Sequence, residues 1–79
     1  MIDRIDFLKN VAEQFEQTTY SELSYDQNIR DLDEWSSLVG LGVLAMIRDI
    51  YHVNLYVKDL ESVHTIEELY QVVCEKCIE

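Results

Sequence analysis

The chain contains no proline and only two glycines, Gly40 and Gly42. Tight turns between strands draw on glycine and proline for positive φ and for a fixed φ, so a turn-rich sheet is a poor fit for this chain. A bundle of helices joined by polar connections is a good one. With 79 residues there is material for one domain and one modest core. No internal repeat or low-complexity tract divides it.

Apolar spacing places the helices. Ile5, Leu8, Val11, Ala12 and Phe15 recur every three or four residues and predict a first helix from Asp3 to about Gln17, with Asp3 as its cap. Thr18-Thr19-Tyr20 should end it. Residues 18–36 read as a long connection, anchored by Leu23, Ile29, Leu32 and Trp35 and containing a short helical turn. A second helix is predicted from Ser36 or Ser37 to about Tyr51, burying a stripe of Leu41, Leu44, Ile47 and Tyr51 flanked by Val43 and Ile50. Gly40 and Gly42 cost that helix about 1 kcal/mol each relative to alanine, which calls for a close approach by a partner or another helix. Val53–Val57 alternates like a strand but has nothing to pair with, so it reads as an extended connector. A short helix or turn follows at Asp59–Val63. Thr65 and Glu68 form a capping box that opens a last helix with Ile66, Leu69, Tyr70 and Val73 buried. The expected fold is all-α, three long helices and one short one, in a single domain over 1–79.

Sixteen acidic residues against six basic ones give a net charge of -10. Such a surface repels a phosphate backbone and an anionic bilayer, so neither nucleic acid nor membrane is an expected partner; basic protein surfaces are. No stretch is apolar enough to span a bilayer, and Met1-Ile2-Asp3-Arg4 lacks the pattern of a signal peptide, so the expected location is the cytoplasm. Cys74 and Cys77 form one C-x-x-C pair without further zinc ligands at a recognised spacing, and read as small side chains on the last turn. His52 and His64 read as exposed residues at loop edges. Tyr51, Tyr56 and Tyr70 read as structural, with hydroxyls reaching solvent, and Met46 as packing. The run Asp31, Asp33, Glu34 lacks the glycine and distal glutamate of a calcium loop. No metal site is expected.

The most informative position is Ser37, in the run Leu32-Asp33-Glu34-Trp35-Ser36-Ser37-Leu38 at the start of the second helix. From Ser37 the register runs through Leu41, Leu44, Ile47 and Tyr51, and Thr65-Ile66-Glu67-Glu68-Leu69 opens the last helix. In this order and spacing, from Ile29 to Val73, the chain resembles the acyl carrier proteins, and the first helix extends the resemblance over nearly the whole chain. The family's Asp-Ser-Leu motif corresponds to Ser36-Ser37-Leu38, so the resemblance implies a 4'-phosphopantetheine arm, donated by coenzyme A, attached to Ser37. A helix N-terminus suits the resulting phosphodiester through its free N–H groups and dipole. The resemblance further implies a carrier rather than an enzyme, bearing acyl or aminoacyl groups for fatty-acid, polyketide or related synthesis. Its partners would be a phosphopantetheinyl transferase and the acyl-loading ligases and synthases it visits as a monomer.

Two departures from the family stand out. Ser36 replaces the aspartate before the attachment serine; it can still cap the helix, with Asp33 and Glu34 upstream as partial compensation for a lost metal-binding carboxylate. The acid-rich partner face of the second helix is reduced to Val39, Gly42, Arg48 and Asp49, so Ser36, Leu38, Val39, Gly42, Arg48 and Asp49 are the expected partner contacts. That composition points to a dedicated pathway more than to general fatty-acid synthesis. Leu44, Ile47, Leu60 and Leu69 are the expected lining of an acyl cavity between the second and last helices. Alternatives from the same residues are a peptidyl carrier, an interaction module that keeps the fold without the arm, and a small hydrolase using Ser37, for which no base is visible.

Overall fold

The computed structural model describes residues 2–77; Met1 and the last two residues of the expected 1–79 domain lie outside them. It is all-α, with four helices and, among the described residues, no strand. Helix α1 spans Arg4–Ala12, α2 Ser37–Tyr51, α3 Val57–Ser62 and α4 Ile66–Lys76, and two single 3₁₀ turns, Tyr20–Glu22 and Ile29–Asp31, sit in the long connection. No helix is long and apolar enough to cross a membrane among the described residues.

The caps predicted from the sequence are in place. The Asp3 carboxylate accepts from the amides of Ile5 and Asp6, both at 2.9 Å, satisfying two of the free donors that start α1. Thr65 Oγ1 accepts from the Glu68 amide at 3.1 Å, and the Glu68 carboxylate returns to the amides of His64 and Thr65. These backbone contacts hold the Glu68 carboxyl below its usual range. At the other end of α2, His52 adopts the left-handed conformation (φ 59°, ψ 36°) and its amide donates to Arg48 O, closing the helix as a glycine commonly does.

One core joins the helices. Phe7, Val43, Ile47, Ile66 and Val73 are completely buried, with Ile29, Leu69 and Val11 nearly so. Phe7 stands between Tyr51 and Tyr70, ring centroids 5.7 and 5.4 Å away. Met46 is core packing, as expected. The connector alternates in burial as its sequence does: Val53 and Leu55 are buried, Asn54 and Tyr56 exposed.

Four expectations about the helices and tyrosines are corrected. Helix α1 ends at Ala12 rather than Gln17, because the amides of Gln14 and Phe15 turn to Val11 O and Ala12 O in tighter i to i−3 bonds that swing Phe15 into the core. Its buried face is led by Phe7, while Ile5 is 61% exposed. In α2 the buried stripe is Gly40, Val43, Met46 and Ile47; Leu41 and Ile50 are exposed and Leu44 and Tyr51 only half-buried. Of the tyrosines read as reaching solvent, only Tyr56 is open to it. Tyr70 is buried and donates to Ile2 O at 2.6 Å, and the Tyr51 hydroxyl accepts from Asn10 Nδ2 at 2.8 Å.

The long connection is fastened along its length. The Ile29 amide donates to His64 O at 2.9 Å and the Glu67 amide to Tyr25 O at 2.8 Å, tying it to the start of α4. Arg4 pairs with Glu67 and lies over the rings of Tyr25 and Tyr70, 4.2 and 4.7 Å from their centroids. Burial pushes the Tyr25 hydroxyl up to about 12.

Candidate functional site

Ser37 is the first residue of α2 and is exposed. Ser36 has extended backbone and caps the helix: its Oγ accepts from the Val39 amide at 3.2 Å and its carbonyl from the Gly40 amide at 2.9 Å. Division of labour between the two serines follows. Ser36 takes the capping role, and Ser37 Oγ is left without a hydrogen-bond partner among the described residues. The amides of Ser37 and Leu38 likewise lack a protein acceptor there, so two N–H donors and the positive end of a 15-residue helix face whatever sits on Ser37.

Beside Ser37 a groove of about 560 Å³ runs between α2 and α3. Gly40, Leu41, Leu44, Val57 and Leu60 form its apolar floor and walls, with Arg30 and Glu61 at the rim and Trp35 at the end next to the serines. A Cβ on Gly40 would stand 3.0 Å from Leu60 Cδ2 and 3.5 Å from the Trp35 ring, so the glycine is what lets α3 and Trp35 close on α2. The close approach expected at Gly40 is therefore made within the protein. At Gly42 the neighbour is Gln14 Oε1, which a Cβ there would meet at 3.0 Å.

Two tethers set the loop that delivers Ser37. Glu34 accepts from the amides of Gln17 and Thr18 (2.7–3.1 Å) and from the Thr18 hydroxyl. The Thr18 hydroxyl above all, then these backbone donors, hold the Glu34 carboxyl below its usual range. Glu34 is thus a structural clamp on the loop. Arg30 donates from its two terminal nitrogens to Val63 O at 2.7 Å and Leu60 O at 3.0 Å, binding the connection to the C-terminal end of α3. Trp35 packs on Phe15, centroids 6.4 Å apart, and seals the loop while lining the groove.

The structure divides the residues singled out from the sequence. Ser36, Leu38, Arg48 and Asp49 are exposed, with Leu38 at 79%. Val39 packs partly on the core and Gly42 is half-covered by Gln14, so these two do not share the open face expected of them. Leu44 and Leu60 line the groove, whereas Ile47 and Leu69 are sealed in the core; the groove lies between α2 and α3, not between α2 and α4. Arg30, Leu41, Val57 and Glu61 belong to the groove and were not foreseen there. Leu41 carried a misleading signal, since its spacing fits either side of α2, and Val57 carried none, because an extended connector does not reveal which helix it meets. His52 and His64 are exposed, and Cys74 and Cys77 are free thiols. Among the described residues no group of three or more His, Cys, Asp or Glu side chains is placed to hold a metal ion.

No family model, curated protein or solved structure matches the chain.

Proposed function

We propose that the protein is a discrete cytoplasmic carrier of the phosphopantetheine type, with the arm attached at Ser37 and the four helices forming a carrier bundle. The observation that carries this reading is the pairing of an uncommitted, exposed serine hydroxyl at a helix N-terminus with an apolar groove that begins beside it. The residues present fit the group: Ser36 caps, the Ser37 and Leu38 amides offer two donors to a phosphodiester, and the groove gives the arm a surface. When attached, the arm supplies a thiol that holds acyl or aminoacyl groups as thioesters. On this reading the hydroxyl of Ser37 would be activated by a base of the transferase. The exposed Leu38, with Glu61 on the groove and a net charge of -10, supplies an apolar contact in an acidic setting for basic partner enzymes, the transferase and the loading ligase or synthase among them.

A second reading is an interaction module of carrier fold without the arm. It is favoured by Ser36 in place of the aspartate and by the exposed apolar surface at Leu38 and Tyr56, 79% and 67% open.

Intact mass after incubation with coenzyme A, magnesium and a broad-specificity transferase separates the two. The carrier reading expects one phosphopantetheinyl group, lost in Ser37→Ala and kept in Ser36→Ala. No addition with several transferases, and none on protein from its native host, would favour the armless module.

A further inference from the structure

Ser37, Leu41, Leu44 and Arg48 stand at i, i+4, i+7 and i+11 on α2. At about 100° per residue these positions fall within an arc of about 60° and form one stripe. Two grooves follow it. The one beginning at Ser37 includes Leu41 and Leu44; a second, of about 520 Å³, includes the same two leucines and continues past Ala45 to Arg48, walled by Asn54, Leu55 and Tyr56 of the connector. The shared leucines make them successive parts of a single track, with the candidate attachment point at one end and a guanidinium at the other.

Arg48 is the only basic residue of α2, in a chain with six bases. Its partner is the adjacent Asp49, Nε to Oδ1 3.4 Å, with the two side chains 62% and 69% exposed. An exposed pair of that kind is weak and easily exchanged for another carboxylate. The lengths also agree. Eleven residues of helix cover about 16 Å, and an extended arm of fourteen bonds from the serine oxygen to its sulfur reaches about 16 Å at the span per bond of an extended peptide. The thiol end of an arm laid on the stripe arrives at Arg48. Beneath the track the protein is closed, since Ile47 and Leu69 are packed in the core, so a long apolar chain here would keep one side in water.

We propose that this track seats the loaded arm and that Arg48 favours cargo whose acyl group carries a carboxylate, a carboxyacyl group in place of a plain fatty chain. The proposal rests on the carrier reading. A surface of net charge -10 repels an anionic group on average; at the far end of this stripe it meets Arg48, whereas Arg30 on the first groove already has its two terminal nitrogens on Val63 O and Leu60 O.

The test uses the full chain, armed in one step from glutaryl- or pentanoyl-coenzyme A, which differ in a terminal carboxylate. Intact mass first scores attachment. The expected result is a shift of the Arg48 Nε–Hε resonance with glutaryl but not pentanoyl cargo. A free glutaryl carboxylate attacks its own thioester carbonyl, closing a cyclic anhydride and expelling the thiolate, so by holding that carboxylate Arg48 should make loss of the glutaryl group about two- to five-fold slower in the wild type than in Arg48→Gln, the range an exposed ion pair supplies. The pentanoyl form should be lost at the same rate in both proteins, and Arg48→Lys should keep part of the glutaryl protection. An armed protein whose Arg48 resonance is the same with both cargoes, and whose glutaryl group is lost equally fast with and without Arg48, overturns this proposal and leaves the carrier reading standing. A protein that takes up no arm overturns both.

Discussion

At Gly40 the missing side chain has a specific neighbour, the Leu60 methyl, and Leu60 is itself buried and unable to retreat far. At Gly42 the neighbour is the amide end of Gln14, a half-buried, flexible side chain. The same substitution should therefore act differently at two positions only two residues apart. Gly42→Ala is expected to stabilise by about 0.5–1 kcal/mol as helix propensity is recovered and Gln14 swings aside. Gly40→Ala should fall about 1 kcal/mol or more below Gly42→Ala, because the same propensity gain is offset by crowding against Leu60. Urea melts of the two variants measure the difference. The serines behave similarly: their chemistry is identical, and one residue of register decides that Ser36 caps while Ser37 is free. That register was only partly legible in the sequence, because the apolar spacing allows α2 to begin at Ser36 or at Ser37 and the cap bond from the Val39 amide decides between them. The reason for Gly40 was only half legible, as a close approach with no partner named, since its partner arrives from residues 35 and 60.

Elements were legible in their starts and less so in their lengths and faces. Asp3, Ser36 and Thr65 are local signals, each satisfied by an amide two or three residues on, and all three mark helix starts in the structure. The end of α1 depends on Phe15 finding Trp35, a contact across twenty residues that no local pattern announces. The face of α2 was obscured because apolar residues occur nearly all round it; α3 and the turn after α1 decide which side is covered. The loop before α2 depends on Glu34, and this can be measured. Glu34→Gln should lower the melting temperature and speed hydrogen exchange at the Gln17 and Thr18 amides. The folded Glu34 carboxyl titrates below its ordinary 4.5, so its contribution is complete above that value and is lost as pH falls through the depressed one. Wild-type protection at Gln17 and Thr18 should accordingly fade only as pH falls below 4.5 through the depressed value, while the variant should show a flatter pH dependence.

Across the whole molecule, stability is concentrated on few side chains. A domain of 79 residues commands about 4–12 kcal/mol in total. Phe7 is fully buried between two tyrosine rings, and Phe7→Ala should cost about 3–5 kcal/mol. Circular dichroism at about 25 °C should show that variant substantially unfolded or melting far below wild type, and Phe7→Leu folded. The long connection extends the same dependence to the site. It reaches Ser37 only after binding the C-terminal end of α3 through Arg30 and the start of α4 through Tyr25, Asn28 and Ile29. During synthesis, then, Ser37 leaves the ribosome well before the residues that hold its loop. A nascent chain displays a loose serine, and the groove and helix start around it take shape only after residues 57–76 have emerged. The order of manufacture is thereby a built-in delay: an enzyme that reads the shape around Ser37, and not merely its neighbours in sequence, will act on finished chains and pass over unfinished ones.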